Sequence, residues 1–303
     1  MAENKKVLIL GGGGFVGGRT AQEAVKQGWE VFVTYRNNAP DLEGCQTIQF
    51  DWMGNISILD ILAELNPAVI INSSVPAIGV SAPADEHFAV SLGGVQKLVT
   101  ALEKLGQMPK LIQVSTNAVF DGTKGDYAEN DLPVIEARQD SFSAYGVSKA
   151  QAEKYVLENY PDSVVARTSL VWGRDYKGDL NRRTQLEIVT PLQEGRKFRR
   201  FADRYVSPTA VDSLASALIE LVILPFRGIV NVAGREQLTD VQFAAKIARY
   251  LRLDKSLIEP ENRPPTMPAK LTLNVSLAKQ IFKTPMLDIA EQLKIIFPQK
   301  VGG

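Results

Sequence analysis

An α/β fold with a doubly wound parallel sheet is predicted for this 303-residue chain by three observations. Val7-Leu8-Ile9-Leu10 runs straight into four glycines, Gly11 to Gly14, and an amphipathic segment follows from Phe15 to Gln27, the order strand, tight turn, helix. Strand-like apolar runs and helix-period segments then alternate along the chain, which builds parallel crossover units rather than hairpins. A hydrophobic content of 45% over this length can bury a large core, in one big domain or two intimate lobes.

The elements follow in order. The first helix stops at Gly28, and Glu30 to Thr34 reads as a second strand; Thr47 to Phe50 is a third. Ser57 to Leu65 is a short helix closed by Asn66-Pro67, and Ala68 to Asn72 a fully buried fourth strand. A long helix from about Asp85 to Leu105 precedes a fifth strand, Lys110 to Ser115, and another amphipathic helix opens at Tyr145 and runs to about Asn159. Ala210 to Ile223 is strongly apolar and helical, and Gly228 to Ala233 is a late core strand. Thr239 to Leu253 reads as a helix capped by Thr239. Prolines at 260, 264, 265 and 268 mark a loop, Leu271 to Leu273 a small strand, and two short helices end near Phe297.

Composition excludes several classes of function. The formal net charge is zero, so no basic excess argues for nucleic acid or a membrane surface. One cysteine, Cys45, leaves no internal disulfide and no thiolate metal cluster, and the single histidine, His87, makes no zinc site without partners. The chain shows no apolar leader segment and no long apolar run, so a cytoplasmic protein is expected.

The glycine turn carries the first chemistry. Gly12, Gly14 and Gly17 fit the pattern G-x-G-x-x-G, and Gly11, Gly14 and Gly17 equally fit G-x-x-G-x-x-G. Glycines let the backbone turn sharply and approach a ligand, while free N–H groups at a helix start, here from Phe15 and Val16, attract phosphate. Gly13 with Gly18-Arg19-Thr20 is a near miss to a P-loop, which needs lysine where Arg19 stands. A dinucleotide is therefore expected here, in a Rossmann arrangement. The second strand is followed by Tyr35-Arg36-Asn37 with no acid, so Arg36, joined by Arg19, favours the 2′-phosphate of NADP over NAD. Asp51 can accept from the adenine amine, and Ser73-Ser74, beyond the carboxyl end of the fourth strand, should line the diphosphate and ribose.

The second chemistry lies downstream. Thr116 stands at the mouth of the fifth strand, and Tyr145 and Lys149 are four residues apart on one helix face. An ammonium beside a phenol favours the phenolate and draws its pKa from about 10 towards the range of a working proton donor. A threonine hydroxyl can hold a substrate oxygen.

These residues, in this order, resemble the extended short-chain dehydrogenase/reductase family. The resemblance implies that Tyr145 exchanges a proton with substrate, Lys149 binds the nicotinamide ribose and tunes Tyr145, and Thr116 steadies the substrate. Ser115 to Gly122, Arg167 to Gly173 and Ser207-Pro208-Thr209 look like the corresponding stretches of dTDP-4-dehydrorhamnose reductases, and Arg263-Pro264 matches in placement. Asn117-Ala118 stands where those proteins have Asp-Tyr, and Ser91 where many members have asparagine.

The resemblance implies an NADPH-dependent reductase of a keto group on a nucleotide-linked sugar. An epimerase retaining its cofactor is a second reading. A regulatory subunit without turnover is a third, because the regulatory subunit of methionine adenosyltransferase resembles the same reductases. Between Arg174 and Arg204 nine basic residues stand against five acids, which suits a small anionic substrate such as a nucleotide sugar. Residues 1–173 with about 206–234 should form the dinucleotide domain, and about 174–205 with 235–303 a smaller, mixed substrate lobe. No nucleic acid, membrane or metal is expected as a partner, and a homodimer is compatible with the sequence.

Overall fold

The computed structural model describes residues 4–76, 81–134, 136 and 141–298. The chain divides into two compact units, residues 1–120, 132–167 and 215–230 in the first, and 121–131, 168–214 and 231–303 in the second.

The first unit is a Rossmann-type α/β layer structure. Its strands β1 (Lys6–Leu10), β2 (Glu30–Tyr35), β3 (Cys45–Gln49), β4 (Val69–Asn72), β5 (Lys110–Thr116) and β6 (Ser163–Thr168) are joined by Gly228–Asn231 into one seven-stranded sheet. The order is Gly228–Asn231, β6, β5, β4, β1, β2, β3, and the registers from β5 to β3 are all parallel. The order reverses between β1 and β4, and in such sheets ligands bind at the carboxyl ends beside that switch. Val7 to Leu10 and Ile70-Ile71 are sealed from solvent, at roughly 1.5–3 kcal/mol per side chain relative to exposure.

Local chemistry explains where the helices stop and start. α1 (Phe15–Lys26) follows the glycine turn directly. α2 (Ile58–Leu65) begins at Ser57, whose hydroxyl accepts from Leu59 N, and ends on Asn66 at φ 45° before a proline. α3 (Ala84–Leu105) ends on Gly106 at φ 63°. α4 spans Ser141–Asn159, so Tyr145 lies one turn inside the helix and not at its opening, as the amphipathic pattern had suggested. The third strand ends at Gln49, and Phe50 leaves it to meet Trp52 edge to face at 4.8 Å. β6, which carries Arg167, has no alternating signal because both its faces are buried.

The second unit is mixed. Tyr205–Val206 pairs antiparallel with Leu238–Thr239 and parallel with Lys270–Leu271, and Phe198–Phe201 pairs parallel with Ile258–Glu261. Helix Asp240–Tyr250 starts at Thr239, as expected, through a reciprocal bond pair with Gln242. Trp172, Phe243, Ile247 and Leu293 form its core, and the Trp172 indole N–H donates to Gln292 at 2.7 Å. Among the described residues no helix is long and apolar enough to cross a membrane.

Candidate active site

Two loops close on each other at the carboxyl end of the sheet. Gly11 has φ +76°, and a Cβ there would lie 3.0 Å from the backbone of Ser74. A Cβ on Gly17 would strike the Gly11 carbonyl and lie 2.8 Å from Ser73 Oγ. The glycine turn thus packs directly on Ser73 and Ser74, and Ser73 Oγ donates to Leu10 O at 2.9 Å. The N-cap of α1 is Gly14, with no side-chain cap and no acid in the first turn. Among the described residues no side chain caps the amides at Phe15 and Val16, and the positive end of the helix dipole suits a diphosphate. These residues fit a dinucleotide.

The charged residues expected around the adenosine end also gather. Arg36 lies 3.9 Å from Asp51 and 3.5 Å from Glu86, an acid the sequence reading passed over. Asp51 accepts from Met53 N at 3.1 Å, so it also organises its own turn. Arg19 Nη1 donates to Gln22 Oε1 at 2.6 Å, one turn into α1.

The residues expected to handle the proton meet beside this cradle. β5 ends at Thr116, whose hydroxyl accepts from Ala118 N at 3.1 Å, ordering the single turn Asn117–Val119. Tyr145 is hydrogen-bonded to the Thr116 hydroxyl. Lys149, almost wholly buried, donates from Nζ to Ser74 O at 3.1 Å and to Val114 O at 3.4 Å. Burial pulls its ammonium down from 10.5 to about 8, against the attraction of Glu153.

One expectation is corrected here. Burial pushes the Tyr145 phenol above its ordinary value, and only the Thr116 hydrogen bond opposes the rise. The expected lowering by Lys149 does not emerge: desolvation dominates the phenol, and the Lys149 ammonium donates to two backbone carbonyls.

Three further features escaped the sequence reading. The His87 ring lies 5.4 Å from the Tyr145 ring, with α3 carrying it into the interior. Glu153 and Arg167, both sealed from solvent, form a forked ion pair: Arg167 Nη2 donates to the carboxylate at 2.8 Å and Nε at 3.1 Å. The signal for Glu153 was present, since it stands four residues after Lys149 on the same helix face. Gly146, next to Tyr145, packs so closely on the Ala118 carbonyl that a Cβ would overlap its oxygen. Gly146→Ala is expected to cost about 1–3 kcal/mol and to part Tyr145 from Thr116. A thermal melt identical to that of the parent protein would show that α4 has room to spare.

In the second unit the basic run is not left uncompensated. Glu187 sits 3.4 Å from Arg183 and 3.3 Å from Arg200, Arg204 holds Asp240 at 3.0 Å, and Lys197 holds Glu259 at 3.1 Å. The excess counted along the chain is thus partly balanced by acids from residues 240–259. A cavity of about 130 Å³ opens among Arg183, Arg200, Arg204 and Phe243, beside a π-helical turn at Gln185–Val189, a feature frequent at functional sites. Among the described residues no cluster of His, Cys, Asp or Glu is built to hold a metal ion.

A family model described as RmlD substrate binding domain matches residues 5–299. The probable low-salt glycan biosynthesis reductase Agl14 of Haloferax volcanii is 26% identical over 276 residues, 89% of either chain. Methionine adenosyltransferase 2 subunit beta of Rattus norvegicus is 26% identical over 284 residues, 90% of this chain and 80% of that one. In fold, the chain is similar to the crystal structure of dTDP-4-dehydrorhamnose reductase from Bacillus anthracis str. Ames in complex with NADP, with a TM-score of 0.79 at 20% identity over 98% of this chain and 99% of that chain.

Proposed function

The chain belongs to the RmlD substrate binding domain family, and from that premise we propose that it reduces a keto group on a nucleotide-linked sugar with NADPH. One observation carries the reading. Lys149 bonds to the carbonyl of Ser74, and the backbone of Ser74 is what the Gly11 turn packs against. The proton machinery and the dinucleotide cradle therefore share a wall.

The amides at Phe15 and Val16 would hold the diphosphate, Gly11, Gly14 and Gly17 give it room, Ser73 and Ser74 border the ribose, and Arg36 with Arg19 takes the 2′-phosphate. When bound, the nicotinamide supplies a hydride to the substrate carbonyl carbon. Thr116 donates a hydrogen bond to the carbonyl oxygen and fixes its position. Tyr145, kept protonated by burial, gives that oxygen its proton, completing the alcohol. Lys149, whose ammonium donates to Ser74 O in the same cradle, would hold the nicotinamide ribose. The arginine-lined cavity of the second unit suits the phosphates of such an anionic ligand.

Thermal unfolding with each cofactor tests the binding half. A ligand at a hundred times its dissociation constant adds about 2.7 kcal/mol to the native state. NADPH should raise the melting temperature more than NADH, and Arg36→Ala should remove most of the difference. Equal, negligible shifts with both cofactors would overturn the reading. Cofactor oxidation over a panel of nucleotide-linked keto-sugars tests the catalytic half.

The rat beta subunit, together with Asn117-Ala118 beside Thr116, favours a second reading, a cofactor-binding subunit without turnover. Tight NADPH binding without oxidation on any keto-sugar, and a stoichiometric partner enzyme, would select it.

A further inference from the structure

A buried ion pair stands directly behind the lysine, and nothing in the proposed reaction uses it. Glu153 lies four residues beyond Lys149 on α4, which puts both side chains on one helix face. Neither is more than 2% exposed. The Glu153 carboxylate is gripped by Arg167 from β6 through three contacts, Nε to both oxygens at 3.1 Å and Nη2 to one at 2.8 Å. The guanidinium also lies over the Phe120 ring, 5.0 Å from its centre. Phe120 closes the turn that Thr116 begins, its N–H donating to Asn117 O at 3.2 Å. One guanidinium therefore touches both the helix that carries Tyr145 and Lys149 and the turn that carries Thr116.

We infer that the Glu153–Arg167 pair is the positioning element of the active site: its carboxylate, pinned one turn from Lys149, keeps the lysine charged, while its guanidinium braces the threonine turn against the tyrosine helix. This rests on the reading of Lys149 as part of the proton machinery.

The physical need is clear from the surroundings of Lys149. Two backbone carbonyls accept from its ammonium, and an ammonium has three protons to place. Dipoles alone hold a buried cation weakly, and an opposite charge within a few ångströms restores much of what desolvation removes. Among the described residues the ionisable groups around it are few. α4 supplies Tyr145 and Glu153, β6 supplies Arg167 behind the carboxylate, and α3 supplies His87 against the Tyr145 ring. Among them Glu153 is the anion. A carboxylate alone in such a place would be protonated or would swing onto Lys149, and Arg167 prevents both by occupying its two oxygens.

The sign of the pH effect follows. Lys149 loses its proton near pH 8, well below the value for lysine in water, so the charged form is present below that point and lost above it. Without Glu153 the loss moves to lower pH, into the working range.

The test reads that proton directly. In protein made with ¹³C-labelled lysine, the Lys149 side-chain signal is the one absent from Lys149→Arg, and its shift is followed against pH. In the parent the midpoint should fall near 8. In Glu153→Gln it should fall lower by about one pH unit or more, and Glu153→Asp should restore most of the difference. An unchanged midpoint in a folded Glu153→Gln overturns the proposal, because loss of packing alone would lower the melting temperature and leave the titration in place. If Glu153→Gln does not fold, the double variant Glu153→Gln/Arg167→Met, which leaves no unpaired buried charge, takes its place, with a smaller downward move expected and no move overturning the idea. NADPH affinity against pH is measured on the same proteins and should break where the lysine titrates. A midpoint that moves in a protein that binds no NADPH upholds the positioning role and defeats the cofactor assignment.

Discussion

Tyr145→Phe is expected to reduce turnover about a hundred- to ten-thousand-fold, the range that a positioned proton donor contributes, with NADPH binding nearly unchanged. The substitution is narrow. The ring stays in place against His87, 5.4 Å away, and in its buried setting; only the hydroxyl and its bond to Thr116 go. Burial raises the Tyr145 pKa, so the phenol carries its proton across the neutral range, as the proposed donor must. Steady-state rates and cofactor titration on the same preparation decide the matter. Turnover equal to that of the parent would end the assignment of Tyr145 as donor.

Arg167→Met carries the largest expected effect on stability. It leaves the Glu153 carboxylate buried with its three contacts gone, at a cost of about 3–5 kcal/mol. The cation over Phe120 is lost as well. Adding Glu153→Gln should recover most of the loss, since an apolar stem beside a neutral amide carries no unpaired charge. Urea unfolding of parent, single and double variants measures both quantities. If the single variant matched the parent, the pair would be solvated in solution and could not position anything.

These expectations show how unevenly sequence spoke for the site. Gly11 and Gly17 were legible because a glycine at a strand–helix junction is a local steric statement, and the structure packs Gly11 on the Ser74 backbone and Gly17 on Ser73 Oγ. Thr116, Tyr145 and Lys149 were legible as a spacing on two elements, and the structure brings them together with Ser74. Gly146 was silent, since nothing local reveals that the Ala118 carbonyl, 28 residues upstream, fills the space its side chain would take. Glu86 was silent for the same reason until α3 brought it within 3.5 Å of Arg36. The basic run misled in part, because charge counted along a chain omits the acids that other segments bring to it.

By itself the sequence determined the alternation of strands and helices, the helix ends at Asn66 and Gly106, and the cap at Thr239. Each depends on interactions within a turn or two of chain, where side-chain period, φ preference and capping act. The tertiary structure alone decided that burial raises the Tyr145 pKa and lowers that of Lys149, the pairing of Glu153 with Arg167 across 14 residues, and the contact of the glycine turn with the β4 loop. Desolvation and charge pairing depend on which atoms exclude water around a group, and those atoms come from elements far apart in the chain.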